Sequence, residues 1–348
     1  MIETVLGPIE AHRLGATSMH DHVLADSSRL RRPGSQPAPA EERVSMSTLG
    51  YLRWNQLAFA DNLRLDDPEL AVEEFALAVA AGQQAVVDAT SWGLGPDHAR
   101  LPDISRRSGM TIVSAYGTYI PRTLPPQIAA LGEQELEDLI VSALTDRVPG
   151  ADYRAGMVGI MGTSGTVEPE EKVGLRAGAR AAVRTGAAMS VRLDQHARPG
   201  LDVLALCADE GLPAERVVFT NADEYLDAAY WGELAAAGAV LEMCFGTEAS
   251  QRGRVENPSD HQRLDFFVPF LEAHPGSVHV LGGSNWTKAQ QRHYGGYGNE
   301  HLLARIVPEL IERGVPAERV ERMLVHEPRR LLDRPSPAAP TTPDTEEN

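Results

Sequence analysis

The chain has 348 residues, 43% of them hydrophobic and 23% charged, with a formal net charge of -17. That is an ordinary globular composition, which excludes a fibre or wholesale disorder. The acidic balance argues against nucleic acid, whose affinity comes mostly from Lys and Arg on phosphates, and against anionic membrane surfaces, so a small molecule is the expected partner.

No apolar run reaches membrane-spanning length. The start, "MIETVLGPIEAHRLG", lacks the basic beginning and apolar centre of a signal peptide, so the expected location is the cytoplasm. Cys207 and Cys244 have no C-x-x-C spacing and no partner set for structural zinc, and Cys207 reads as a buried thiol.

In chain order, the first strand candidate is Ala16 to His20, inside "TSMHDHVLAD". Side chains two apart in a strand point the same way, so His20 and His22 can converge. A long insertion follows, Ser27 to Leu65, with Pro and Arg clusters and then "YLRWNQLAFADN", read as a lid, a partner surface or a connector. Then come Asp67 as a helix cap, Pro68 in the first turn, an apolar stripe of Val72, Phe75, Ala76 and Val79, and Gly82 as the stop.

Further strands are expected at Ala85 to Asp88, Thr111 to Tyr116, Met157 to Gly162, Ala188 to Leu193, Val217 to Asn221, Val240 to Phe245 and Val278 to Gly283. Alanine-rich helices lie between them, among them "EPEEKVGLRAGARAAVRTG", acidic at its positive end, and the closing "AERVERMLVHEPRRLL". Regular alternation, with no G-x-G-x-x-G after the first strand, favours a single (β/α)8 TIM barrel over an open doubly wound sheet. The barrel is expected over residues 1–333, and 334–348 has the composition of a disordered tail.

The stretches "ETVLGPIEAHRLGATSMHDHVLAD", "DNLRLDDPELAVEE", "VVDAT", "RAGMVGIMGTSGTVEPEEKV", "RVVFTNADE", "VHVLGGSNW" and "YGGYGNEHLLARIVPELIERGV" together resemble the phosphotriesterase family of the amidohydrolase superfamily. The resemblance implies a (β/α)8 barrel with two divalent metals at its C-terminal mouth, a hydrolytic reaction on esters, lactones or phosphotriesters, and a homodimer. It also implies ligands: an H-x-H on the first strand, a bridging carboxylated Lys or Glu on the fourth, a His on each of the fifth and sixth, and an Asp on the eighth.

Only the first pair matches, as His20 and His22. The bridging position falls on Ile160, the two histidine positions on Arg192 and Asn221, and the aspartate position on Ser284. A shift of register does not restore the set: Gly159, Met161, Val191 and Leu193 are no better, and Asn285 is a weak substitute. Two histidines alone make a poor metal cage. A guanidinium about 4 Å from a divalent ion, at an effective dielectric near 20, would repel it by ~8 kcal/mol.

The expectation is therefore no cofactor, with zinc or another divalent ion on His20 and His22, aided by Asp194 or Asp223, as a second reading. The expected chemistry is acid–base work by His20 and His22 on a small anionic metabolite, with Arg192 binding the anion and Asn221 donating to an oxyanion. Isomerisation, elimination, cyclisation and hydrolysis all stay open, as does a non-catalytic binding protein. Arg192 is equally open to an ion pair with Asp194, Asp88 or Glu242. Trp92, Tyr116, Asp194, Cys244, Ser284, Lys288 and Tyr294 complete the expected substrate-binding set.

Overall fold

The computed structural model describes residues 1–194, 196–251 and 255–335. Eight parallel strands form one sheet: β1 (Thr17–Asp21), β2 (Ala85–Asp88), β3 (Thr111–Tyr116), β4 (Met157–Gly162), β5 (Met189–Arg192), β6 (Val217–Thr220), β7 (Val240–Cys244) and β8 (Val278–Gly282). Each pairs with its sequence neighbour. The sheet closes into a barrel where the Gly283 and Ser284 N–H groups donate to His20 O and the His22 N–H to Asn285 O. The eight expected strands all form, with ends within one residue of those read from the sequence.

Such strands are covered on both faces, which is why they read as nearly continuous apolar runs. Alternation still sorts them. In β3, Val113 and Ala115 face a narrow core inside the barrel with Met19, Val87 and Val218, whereas Ile112 and Tyr116 face the layer beneath the helices. Ile2, Leu14, Leu331 and Leu332 join the inner core, so both ends of the chain help close the bottom of the barrel. The upper end is left for a site.

The helices start and stop as their residues dictate. Asp67 Oδ1 accepts the Glu69 and Leu70 N–H groups at 3.0 and 3.3 Å, starting α1 (Pro68–Ala80), and Gly82 leaves it at φ 103°. The buried face of α1 differs from the expected stripe: it is Leu70, Ala71, Glu74, Phe75 and Ala78, and Ala76 is exposed. Propensity alone could not phase so alanine-rich a helix. The face is set by Phe75 in the core and by Glu74, whose carboxylate accepts the Arg292 and His293 N–H groups.

The insertion is folded and roofs part of the barrel. It holds a helix at Leu49–Trp54, and its ends pair as Ala25 with Leu65 and Asp26 with Arg64. Lys288 Nζ binds Asp61 at 2.9 Å and Asp66 at 3.0 Å, and Tyr294 packs on the insertion's own core of Val44, Leu49, Leu52, Ala58 and Phe59. These two residues, expected to bind substrate, instead fasten the roof.

Order runs past the expected boundary at 333, because the Arg334 guanidinium is buried and donates to Leu144 O and Ala155 O. The rest of the expected tail, 336–348, lies outside the described residues. Among the described residues no helix is long and apolar enough to cross a membrane.

Candidate active site

At the C-terminal ends of the strands lies a cavity of about 390 Å³, large enough for a small metabolite. His20, His22, Ile160, Arg192, Asn221 and Ser284 all line it. The family positions, assigned from sequence alone, thus meet in one place.

The two imidazoles form its floor. His20 Nδ1–H donates to Glu242 Oε2 at 3.0 Å. His22 Nδ1 lies 2.9 Å from Thr90 Oγ1, whose hydroxyl donates to Asp88 Oδ1 at 2.6 Å, so Thr90 accepts from His22 Nδ1–H. Both Nδ1 protons therefore point away from the cavity, and the two Nε2 atoms meet at 3.3 Å. Two lone pairs at that distance repel, so the spacing favours a form with one proton between them.

The surroundings place that proton on His20. Burial would lower its pKa, but the charge and hydrogen bond of Glu242 outweigh burial and raise it above 6.5. Burial and the neighbouring His20 charge hold His22 well below 6.5, hence neutral. Three buried carboxyls flank the pair, and burial pushes Asp21, Asp88 and Asp223 each up to about 6.

Arg192 forms the wall. Its NH2 group donates to Glu224, and Tyr119 lies against it, its phenol raised above 10 by burial. The expected partners of Arg192 are thereby corrected. Glu242 is spent on His20 and Asp88 on Thr90, while Asp194, although it lines the cavity, holds the His196 and Ala197 N–H groups on Oδ1. Asn221 and Ser284 complete the floor at the ends of β6 and β8. Both sit in the left-handed region, φ 53° and 48°, which is strained for residues with a Cβ, and Asn221 Nδ2 donates to Ser284 Oγ at 3.2 Å.

Three other expected residues lie elsewhere. Tyr116 belongs to the outward set of β3 and takes the Trp92 indole N–H at 2.8 Å, so both rings sit outside the barrel wall. Cys244 is buried with Sγ 3.9 Å from His20 Nδ1, the side turned from the cavity, and burial with the Glu242 charge holds its thiol well above 9. It contacts no substrate space. Sequence reading missed Thr90, Glu224, Tyr119, Arg32 and Arg122, all of which lie in the loops and short 3-10 turns that connect the regular elements. Thr90 in "VVDAT" and Glu224 in "TNADE" follow strand ends closely enough to have been signalled.

The geometry does not fit the two-metal centre that the resemblance implies. Its bridging position is aliphatic, and a guanidinium, an amide and a hydroxyl stand where anionic or imidazole donors would be needed. Asp223 cannot stand in, since its oxygens hold the Cys244 N–H at 2.9 Å and Arg263 Nε at 2.6 Å. One group able to hold a single ion does occur among the described residues: His20, Glu242 and Cys244 bring donor atoms within 4.8 Å of one another. It uses the Nδ1 side of His20, beneath the floor.

Comparison with known proteins agrees with this architecture. The model of the Phosphotriesterase family matches residues 1–332. N-acetyltaurine hydrolases from Danio rerio and Dictyostelium discoideum are 29% and 26% identical, each aligned over 95% of this chain and 97% of its own length. A solved structure of a resiniferatoxin-binding protein from Rhodobacter sphaeroides superposes with a TM-score of 0.89 at 31% identity, covering 95% of this chain and 94% of its own. A lactonase from Listeria monocytogenes, at 22% identity and TM-score 0.77, shares the fold.

Proposed function

The chain belongs to the phosphotriesterase family and is an enzyme of hydrolytic type, and from that premise we propose that it cleaves an acyl bond of a small anionic substrate by metal-independent acid–base chemistry. One observation carries this reading: two imidazoles bring their Nε2 atoms within 3.3 Å of each other on the floor of a cavity whose wall holds a fixed guanidinium. Of the four reactions open from sequence, hydrolysis is the one that family membership favours.

In this reading the His20–His22 pair, in its deprotonated form, takes a proton from water as the oxygen attacks the carbonyl carbon. Arg192, held by Glu224, and the Asn221 amide donate to the carbonyl oxygen as it becomes an oxyanion. The pair then returns the proton to the leaving nitrogen or oxygen as the acyl bond breaks. Glu242 holds His20 in the tautomer that presents Nε2, and Thr90 does so for His22. Relatives named N-acetyltaurine hydrolase make N-acylated short amino acids and amino sulfonates the first substrates to try.

The test is product release from N-acetyl-β-alanine, N-acetyltaurine, simple acetate esters and γ-lactones, with and without chelator. Chelator-resistant turnover that disappears in His22→Asn is expected. Turnover that needs added metal would reject the mechanism.

The 31% identical resiniferatoxin-binding structure favours a second reading, a binding protein without turnover. It requires ligands that raise the melting temperature while no product forms. A cytoplasmic setting and a homodimer belong to our reading as well, the first supported by two buried free thiols and the second by family membership alone.

A further inference from the structure

The chain carries a net charge of -17, yet among the described residues its cavity is lined by Arg32, Arg122 and Arg192 against only Asp194 and Glu224. Glu224 is engaged by Arg192, and Asp194 by two backbone N–H groups. Arg32 and Arg122 do not sit at the floor. His20, His22, Asn221 and Ser284 are buried, Arg32 is half-buried and Arg122 is exposed, so these two arginines stand at the rim. Apolar side chains, among them Leu30, Leu57, Leu94 and Ile120, line the same cavity.

The rim is built rigidly. Arg32 comes from the insertion: its N–H donates to Leu57 O at 3.0 Å, its NH1 to Arg31 O at 2.8 Å, and its carbonyl accepts from Gln251 Nε2 at 3.3 Å. The same Gln251 amide holds the Leu57 N–H at 2.7 Å and Pro33 O at 2.9 Å. Arg122 comes from the turn Pro121–Thr123 after β3, and Arg29 ties that turn to the insertion by donating to Thr123 O and Leu124 O at 3.2 and 2.7 Å. Two loops far apart in sequence are thus bound together with an arginine on each. Among the described residues no carboxylate lies within ion-pair distance of Arg32.

We propose that Arg32 and Arg122 form a second anion subsite at the rim, which takes the terminal carboxylate or sulfonate of a substrate whose scissile acyl bond lies at the histidine floor. The proposal rests on the hydrolytic reading and deepens it. The substrate has an acyl group at one end, a short neutral or apolar spacer, and an oxyanion at the other. Guanidinium forks suit both planar carboxylates and tetrahedral sulfonates. The insertion then serves as a specificity element rather than a connector.

The test is calorimetric binding of 3-acetamidopropanoate, 2-acetamidoethanesulfonate and neutral N-propylacetamide to the His22→Asn chain, alone and combined with Arg32→Gln or Arg122→Gln. Circular dichroism checks that each variant is folded. The anionic probes are expected to bind at least about tenfold more tightly than the neutral one, and each arginine substitution to remove most of that preference, leaving the neutral probe unchanged. The preference should also shrink with added salt. The stronger of the two anionic probes identifies the geometry that the rim fits. Anionic probes that bind no better than N-propylacetamide, or that are indifferent to both substitutions, overturn the subsite. Because binding is read without turnover, an arginine-dependent preference in a chain that hydrolyses none of these amides would uphold the subsite and reject the catalytic reading.

Discussion

The two sides of the barrel mouth treat the same kind of position differently. On the β1–β2 side, His20 and His22 are kept and backed by acids one shell behind: Glu242 holds one Nδ1, and Thr90, supported by Asp88, holds the other. On the other strands, β5, β6 and β8 end at or just before Arg192, Asn221 and Ser284, Ile160 lies two residues inside the end of β4, and a carboxylate after β6, Glu224, braces a cation. In the proposed mechanism the first supplies a proton shuttle and the second a fixed positive charge with neutral donors. Catalytic acid–base groups need their pKa set by buried neighbours, whereas an oxyanion donor needs only a rigid direction. The mouth therefore stays polar and organised although its metal-ligand pattern is broken.

The largest effect should come from the histidine side. His22→Asn is expected to lower kcat by about 10²–10⁴-fold, the usual contribution of a general acid–base group, with an unchanged far-ultraviolet spectrum. An unaltered kcat would move the chemistry off β1.

Arg192→Met comes next, with about 10–100-fold lost in kcat/KM, the range for a charge-assisted hydrogen bond to a developing anion. Glu224→Gln should cost less, since the guanidinium keeps its charge and loses only its brace. Equal losses in the two variants would mean that the ion pair acts as a structural unit.

Glu242→Gln sharpens the comparison through pH. Turnover requires the imidazole pair to accept a proton, so kcat/KM should rise with pH through a midpoint above 6.5, where Glu242 holds His20. Replacing Glu242 should move that midpoint down and reduce the plateau by about tenfold. A midpoint that does not move would show that His20 is not the titrating group.

The smallest effect concerns stability. Burial raises Asp21 from 3.8 to about 6, so its protonated form favours folding; that contribution is complete below about pH 4 and is lost as pH rises through about 6. An amide at this position can still accept the Asn285 N–H and can donate to Ser18 Oγ. Asp21→Asn should therefore melt at nearly the wild-type temperature at pH 4.5 and a few degrees higher at pH 8. A constant difference across that range would mean that Asp21 does not titrate where its burial puts it.

The barrel was legible because its strands and helices alternate with plain periodicities, and because parallel strands covered on both faces leave long apolar runs. The lining positions of the mouth were legible because His20, Ile160, Arg192, Asn221 and Ser284 all lie within two residues of strand ends that could be counted. Trp92 and Tyr116 were misplaced because strand alternation assigns a face only once one residue of the strand is anchored, and in β3 Tyr116 shares its face with Ile112, towards the helices. Lys288 and Tyr294 were misplaced because their partners, Asp61 and the insertion core, lie more than two hundred residues earlier. The pairing of Arg192 with Glu224 was hidden for a related reason: a loop after β6 had to fold back before its carboxylate could reach β5.

The central claim is that this mouth works through imidazoles and a guanidinium rather than through a metal pair. Its most direct test is elemental mass spectrometry of protein purified without added metal or chelator, run beside turnover in excess chelator. The expected result is well under one divalent ion per chain and undiminished turnover. Two zinc, manganese, iron or cobalt ions per chain, with activity lost to chelator and restored by metal, would contradict it.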